Sequence, residues 1–161
     1  MNSLIKLKFL IKVIFKVINI VKNYKLLLFS PLIVYLGKRS LVAYDEGYYA
    51  LQAKWILQKN NWIVPLWWDE IVADRTTGIQ SLMALSQKVF GDYLFVMYIP
   101  NLISSFLMLY LTYELHKELI SKRFPIISPL ILCTTFLWIN YSHMATQDIV
   151  YSSIVTLGIY A

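Results

Sequence analysis

One apolar block constrains the fold of this chain more than any other feature. Residues 93–113 read YLFVMYIPNLISSFLMLYLTY, without a single charged side chain. A helix needs about twenty such residues to cross the hydrocarbon core of a bilayer. The whole chain is consistent with this reading, since 58% of its residues are hydrophobic and its mean hydropathy is +0.58. The sequence therefore predicts an all-α, polytopic helical membrane protein.

Three further apolar stretches give a prediction of about four transmembrane helices. Residues 26–36, LLLFSPLIVYL, are a short first candidate that needs residues from its flanks to reach bilayer length. Residues 124–141 are the third candidate, and a fourth begins near Ile149 and reaches Ala161 after about half a span. Because Ala161 lies in an apolar helix without a flanking charge, we expect the chain to be an N-terminal fragment, inactive alone.

The first 25 residues predict a basic amphipathic helix that lies on the membrane surface. Lysine and asparagine occupy one stripe of a helical wheel, and leucine, isoleucine and valine cover most of the rest. The stripe consists of Lys8, Lys12, Lys16, Asn19, Lys22 and Asn23. A signal peptide would place its charges before an uninterrupted apolar run. Residues 1–25 are therefore expected to bind anionic lipid headgroups, and residues 26–161 to form the membrane domain.

The distribution of basic residues predicts the topology. The N-terminal segment carries six lysines and no acid, and residues 116–123 add three basic side chains. Positively charged segments stay cytoplasmic, so the N-terminus faces the cytoplasm and residues 37–92 form a long exterior loop. Glu114 is expected to be solvated near the cytoplasmic end of its span. The predicted location is the plasma membrane or the inner membrane of the cell. The basic residues border apolar blocks, so a nucleic-acid partner is not expected.

The exterior loop is predicted to contain two helices that lie in the membrane interface, at residues 47–58 and 79–90. In the second helix the apolar residues fall on one side and Gln80, Gln87 and Lys88 on the other. Between the helices the sequence NNWIVPLWWDE concentrates tryptophan. An aromatic belt at the headgroup level is the expected role of these residues, and a sugar-stacking platform is the alternative.

Three stretches together resemble a known family of membrane enzymes. They are YDEGYYALQAKWILQKNNWIVPLWWDE, ADRTTGIQSLMALSQKVFG and ATQDIVYSSIVTLG, within residues 40–161. They resemble the start of the polytopic GT-C-type glycosyltransferases related to dolichyl-phosphate-mannose protein mannosyltransferases and aminoarabinose lipid A transferases. In that family an acidic pair follows the first span. An exterior loop then leads to a Lys/Arg-Pro-Pro motif and a helix ending in Phe-Gly, and a further Asp follows the third span.

The resemblance implies transfer of a sugar from a polyprenyl-phosphate donor to a protein, lipid or glycan on the exterior side. Asp45 matches the first acid of the pair and is the candidate catalytic base, while Glu46 matches the second acid and can orient the site. Arg75 matches the basic position of the Lys/Arg-Pro-Pro motif and would bind the departing phosphate. Asp148 matches the later acid and would line the same cavity. No cofactor is assigned, and a divalent metal held by His143 and Asp148 is left open.

Each assignment has a structural alternative. Asp45, Glu46 and Asp148 lie at expected helix starts, where acids cap free N–H groups or form ion pairs. Arg75 could be an interfacial anchor or an ion-pair partner of Asp74, and Thr76 and Thr77 stand where the family has two prolines. The alternative function is a small, non-enzymatic membrane-anchoring or lipid-binding protein, in which the N-terminal lysines matter and the exterior acids do not.

Overall fold

The computed structural model describes residues 31–68, 70–72 and 76–161. Within these residues the chain forms six α-helices and one small antiparallel ribbon. In chain order they are α1 Glu46–Lys59, β1 Leu66–Trp67, β2 Glu70–Ile71, α2 Gly78–Phe90, α3 Ile99–Leu119, α4 Ile127–Thr134, α5 Phe136–Ser142 and α6 Gln147–Tyr160. The helical class is confirmed, and the ribbon is a local exception to the all-α prediction. The amphipathic helix predicted for residues 1–25 lies outside the described residues.

The predicted second span is a continuous helical segment. A 3-10 segment, Leu94–Tyr98, leads directly into α3. Together they form 26 residues, Leu94–Leu119, the one helix among the described residues that is long and apolar enough to cross a membrane. The segment continues to Leu119, beyond Tyr113, where the charge-free block ends. Pro100 lies in the first turn of α3, where its missing N–H breaks no helical hydrogen bond.

The other predicted spans differ from single long helices. Residues 31–36 form a 3-10 turn, so this end of the predicted first span is not α-helical. The third predicted span is divided into α4 and α5 at Thr135, whose backbone is extended at φ −72° and ψ 121°. The hydroxyl of Thr135 donates to the carbonyl of Ile131 at 2.8 Å, a side-chain bond that competes with helix propagation. The number of four spans stays a prediction.

The two helices predicted at residues 47–58 and 79–90 are confirmed, because α1 and α2 lie within one residue of the expected limits. Their position in the membrane interface stays a prediction. They pack on each other through a shared core. This core comprises Tyr49, Ala53 and Ile56 from α1 and Ile79, Met83 and Ala84 from α2, and it is closed by Tyr98 just before α3, Ala145 just before α6 and Val150 of α6. The exterior loop is thus joined directly to the start of the long helix α3.

The predicted faces of α2 are confirmed only in part, since Ile79 and Met83 are buried and Lys88 is exposed as expected, but the two glutamines are misplaced. Gln80 and Gln87, expected on the polar side, are buried, whereas Val89 is 64% exposed. Gln80 Nε2 donates to Gln52 Oε1 of α1 at 2.8 Å, and Gln87 Nε2 donates to Asp92 Oδ1 at 2.8 Å. Amide side chains can enter a helix interface when they find partners there, so polarity alone misassigned this face.

The expected solvation of Glu114 is also wrong. Its side chain lies at the α3–α6 end of the bundle and is only 4% exposed. Lys117 Nζ donates to Glu114 Oε2 at 2.8 Å, three residues further along α3. The ammonium group compensates the buried carboxylate, which explains how an acid is accommodated in the interior near this end of α3.

The segment before α1 is fixed to the start of the long helix at Gly37. This residue has φ +69°, and a Cβ atom placed on it would lie 2.6 Å from the Cα of Phe95. Only glycine permits both the left-handed backbone and this close approach. The close contact positions residues 37–46, which carry the candidate site, against the beginning of the apolar segment.

Candidate functional site

Glu46 is the centre of a buried polar cluster at the start of α1. Its side chain is fully buried, and each carboxylate oxygen accepts two hydrogen bonds. Oε1 accepts from Arg39 Nη2 at 2.7 Å and from the backbone N–H of Ala145 at 2.6 Å. Oε2 accepts from Arg39 Nη1 at 2.6 Å and from the N–H of Val42 at 2.7 Å. A carboxylate with four donors is fully compensated for its loss of solvent.

Local sequence brings Arg39 and Glu46 together. Residues 40–45 form a tight turn in which Tyr44 has φ 70° and the N–H of Gly47 donates to the carbonyl of Val42 at 3.0 Å. The chain therefore reverses just before α1, and the Arg39 fork faces the Glu46 carboxylate in the bidentate geometry that guanidinium groups favour. The hydrogen bond with Glu46 raises the pKa of Arg39 above its ordinary value, although burial opposes this.

Residues 143–146, which we call the link, form the other side of this cluster. Arg39 Nη2 donates to the carbonyl of His143 at 3.0 Å. From α3, Asn101 Nδ2 donates to the carbonyls of Met144 at 2.7 Å and Thr146 at 2.9 Å. Three side chains, Arg39, Glu46 and Asn101, therefore hold a short stretch of backbone that would otherwise lack hydrogen-bond partners.

The structure places the two exposed candidate acids at the borders of this cluster. Asp45 precedes Glu46 and is exposed, and it occupies the N-cap position of α1 without a side-chain capping bond. Asp148 is exposed in the first turn of α6, three residues after Ala145, and accepts a hydrogen bond from Thr146 Oγ1 at 2.8 Å. The Glu46–Ala145 bond joins the two segments that carry these acids. Glu46 itself forms the ion pair that the sequence allowed as an alternative.

Two candidates remain, the phosphate-binding Arg75 and the possible metal ligand His143. Arg75 lies outside the described residues. The ring nitrogens of His143 lie near backbone carbonyls, Nδ1 at 2.8 Å from that of Ile139 and Nε2 at 3.1 Å from that of Val34. The ring thus connects α5 to the turn before Gly37. Within the described residues, no three His, Cys, Asp or Glu side chains come together as a metal site.

Sequence reasoning missed Arg39 and Asn101. Arg39 lies just after the first apolar block, where a basic flanking residue is usual, and Lys38 beside it fits that role equally well. Asn101 is fully buried inside the apolar segment, and its polarity there was the signal that could have identified it. A polar residue within an expected span commonly has a specific partner, here the carbonyl groups of the link.

The tryptophans of the exterior loop do not form one group. Trp67 stacks on Tyr48 of α1 with ring centroids 4.5 Å apart, and Trp55 meets both Trp67 and Trp68 edge to face at 5.4 and 5.8 Å. Trp62 lies instead under Lys88, whose Nζ is 5.6 Å from its ring centroid. The cluster around Trp67 fastens the ribbon to α1 through aromatic packing.

Comparison with known proteins decides the family. Residues 74–161 match the sequence profile of the family described as dolichyl-phosphate-mannose-protein mannosyltransferase. The chain belongs to this mannosyltransferase family. The matched region covers more than half of the chain and includes α2 to α6. The family expected from the acidic pair, the exterior loop and the later Asp is confirmed.

Two further proteins are similar to this chain, one in sequence and one in fold. A protein of Aquifex aeolicus (strain VF5), named only as uncharacterized, is 28% identical over 144 residues, which are 86% of this chain and 29% of that protein. The crystal structure of ArnT from Cupriavidus metallidurans bound to undecaprenyl phosphate is similar in fold, with a TM-score of 0.76 at 16% identity. The match covers 83% of this chain and 25% of ArnT. The chain therefore spans less than a third of either relative.

Proposed function

We propose that this chain supplies the catalytic base of a glycosyltransferase that takes its sugar from a polyprenyl-phosphate donor. The observation that carries the proposal is the Glu46 cluster, because it joins the exterior segment bearing Asp45 to the link that leads to Asp148. Family membership and the shared fold with ArnT, which was crystallised with undecaprenyl phosphate, support the donor class. The acceptor is a protein, lipid or glycan.

The proposed reaction assigns one role to each candidate. Asp45 takes the proton of an acceptor hydroxyl as its oxygen bonds to the anomeric carbon of the sugar. The bond between that carbon and the phosphate oxygen breaks, and polyprenyl phosphate leaves with the electron pair. Arg75 binds the phosphate as negative charge develops, and Asp148 lines the cavity that receives the substrates.

Glu46 serves this reaction by positioning Asp45. Since its four acceptor sites are occupied by Arg39, Val42 and Ala145, it has no free lone pair aimed at a substrate. Its neighbour Asp45 is exposed at the cluster's edge. A base that is held by a rigid backbone loses little entropy when the acceptor binds, which is the advantage that such support provides.

The proposed topology places this site outside the cytoplasmic leaflet. The protein would cross the membrane about four times within residues 26–161, with a cytoplasmic N-terminus and residues 37–92 outside. The described segment Leu94–Leu119 supports one of these crossings by its length and composition. The opposed ends of α3 are then on different sides of the bilayer, with Asn101 near the exterior end and Lys117 near the cytoplasmic end.

The test uses the native polypeptide that carries this sequence, expressed in membranes and supplied with undecaprenyl-phosphate-linked sugars. Asp45→Asn is expected to lower sugar transfer by about 10²- to 10⁴-fold, the usual contribution of a positioned general base. Glu70→Gln, an exposed acid of the same exterior loop, is the matched control and is expected to leave transfer unchanged. Transfer at the normal rate by a normally inserted Asp45→Asn protein would remove Asp45 as the base.

A further inference from the structure

Two depressions beside the Glu46 cluster share His143 and form one amphipathic groove. The apolar part, about 520 Å³, is lined by Pro31, Val34, Phe136, Ile139, Asn140 and His143. The basic part, about 220 Å³, is lined by Tyr35, Gly37, Lys38, Arg39 and His143. We call the two parts together the His143 groove. Its apolar wall belongs largely to α5, and its basic wall belongs to the turn before α1.

We infer that the His143 groove binds an anionic phospholipid of the surrounding bilayer. One acyl chain lies along the apolar part, and the phosphate lies against Lys38 in the basic part. Such a lipid would be a bound structural partner of the protein rather than its substrate. The inference uses neither the sugar donor nor Asp45, so it stands independently of the proposed reaction.

The charges of the basic part favour an anion. Arg39 is compensated by Glu46, and its side chain nevertheless stays 40% exposed at the groove wall. Lys38 is exposed; its ammonium group lies 6.0 Å from the ring centroid of Tyr35 and forms no ion pair with another described residue. None of the described residues that line either part is acidic. The net positive charge at this wall is therefore supplied by Lys38.

The dimensions of the groove fit a lipid at the membrane boundary. Phe136 at the start of α5 is 81% exposed, and the seven residues of α5 rise by about 10 Å toward His143. In the expected topology the link faces the exterior and α5 enters the bilayer below it. The basic part then lies at the level of the phosphates, and the apolar part lies at the level of the upper acyl chain.

The lining contains neither of the exposed acids proposed for the reaction. Asp45 and Asp148 both lie outside it, which is consistent with a lipid that is a structural partner. The groove does, however, border Arg39, so an occupying lipid would stabilise the turn that presents Glu46 to the link.

Lipid retention measures the proposed site directly. The purified protein is reconstituted into phosphatidylcholine vesicles containing about one-fifth phosphatidylglycerol, re-extracted with mild detergent, and analysed for bound lipid by native mass spectrometry. We expect one retained phosphatidylglycerol per chain in preference to phosphatidylcholine. Lys38→Gln is expected to weaken this retention about fivefold, because a lysine near an anionic headgroup contributes about 1 kcal/mol. Lys38→Arg, which keeps the charge, should retain the lipid.

A control variant and a second test variant check the two parts of the groove separately. Lys122→Gln removes an exposed lysine after α3 and should not change retention, whereas Phe136→Ser should weaken it through the apolar part. Equal phosphatidylglycerol retention by the wild type and Lys38→Gln would overturn the site. Displacement of the lipid by equimolar undecaprenyl phosphate would assign the groove to the donor carrier instead. A lipid-free dimer whose interface includes Phe136 would assign the groove to a second copy of the chain.

Discussion

Glu46 Oε1 accepts a hydrogen bond from the backbone N–H of Ala145 at 2.6 Å, although 99 residues separate the two in sequence. The same carboxylate holds Arg39, which in turn donates to the carbonyl of His143. The pair of Arg39 with the buried Glu46 carboxylate thus joins residues 39–46 to the link between α5 and α6. The arrangement gives the second acid of the pair a structural function that is distinct from the proposed base, Asp45.

Loss of the Glu46 charge is expected to destabilise the fold strongly. In Glu46→Gln the amide replaces one oxygen with a donor that faces existing donors, and the Arg39 guanidinium loses its partner. Because the Arg39 side chain stays 40% exposed, the main cost is that of the buried donors left unsatisfied, about 1–3 kcal/mol. Thermal unfolding in detergent, followed by circular dichroism, measures the loss. Asp45→Asn changes the adjacent exposed acid and should leave the unfolding midpoint unchanged, so equal effects of the two substitutions would contradict the structural role of Glu46.

Replacing Arg39 and Glu46 by methionine, singly and together, measures how much of their contribution to stability comes from their mutual interaction. Arg39→Met alone and Glu46→Met alone each leave an unpaired group, whereas the double variant removes both charges. We expect the double variant to be less destabilised than the sum of the single variants by about 1–3 kcal/mol, the coupling usual for groups in contact. Additive effects in this double-mutant cycle would show that Arg39 and Glu46 contribute separately.

The contribution of Arg39 is expected to be independent of pH in the ordinary range. The bond with Glu46 raises the pKa of Arg39 in the folded state. A base with a raised pKa stabilises the fold fully below its unfolded pKa, and it loses that effect only as the pH rises through the folded value. The stability difference between the wild type and Arg39→Met should therefore be the same at about pH 7 and about pH 9. A difference that shrinks toward pH 9 would contradict the assignment of the charge.

Substitution of Asn101 is expected to destabilise the link, because its side-chain amide donates both of its hydrogen bonds to carbonyl groups there. Asn101→Asp removes the Nδ2 donor and places acceptor oxygens near the carbonyls of Met144 and Thr146, whereas Asn101→Ala only deletes the bonds. Each unsatisfied buried carbonyl costs about 1–3 kcal/mol, so both variants should be destabilised, with the aspartate more affected. Amide hydrogen exchange of residues 143–146 provides the local readout. Unchanged protection of the link in Asn101→Ala would contradict the contact.

The sequence predicted the helices and the family better than it predicted the site, and the reason lies in the range of the interactions. Apolar length identified the segment at Tyr93–Tyr113, and period identified α1 and α2. The sequence could not show that Glu46 meets Ala145, since this contact depends on how α3 and α6 pack. Likewise, Gln80 was assigned to the polar side from its polarity alone. The sequence could not show its buried partner, Gln52, because that residue lies in another helix.

The buried amide pair between α1 and α2 gives a direct test of that helix interface. In Gln80→Met the Gln52 Oε1 atom loses its donor, and we expect destabilisation by about 1–3 kcal/mol. The double variant Gln52→Met/Gln80→Met removes both groups and should recover part of that loss, as apolar replacement of both partners often does. Chemical unfolding of the three variants measures the effect. If the double variant lost more unfolding free energy than the two single variants together, the unpaired amide would not be the source of the destabilisation.

Substitution of Gly37 by alanine is expected to destabilise the turn before α1, for steric reasons that do not depend on charge. Gly37→Ala combines a left-handed φ of +69° with a Cβ atom 2.6 Å from the Cα of Phe95, so the turn and the start of the apolar segment cannot both keep their positions. The left-handed conformation alone costs about 1–2 kcal/mol with a side chain, and the backbone clash adds to it. Gly78→Ala is the matched control, since nothing lies within 4 Å of a Cβ atom there. Thermal unfolding should separate the two variants clearly. Equal midpoints would mean that the turn before α1 can move away from Phe95, and that the Glu46 cluster does not depend on that contact for its position.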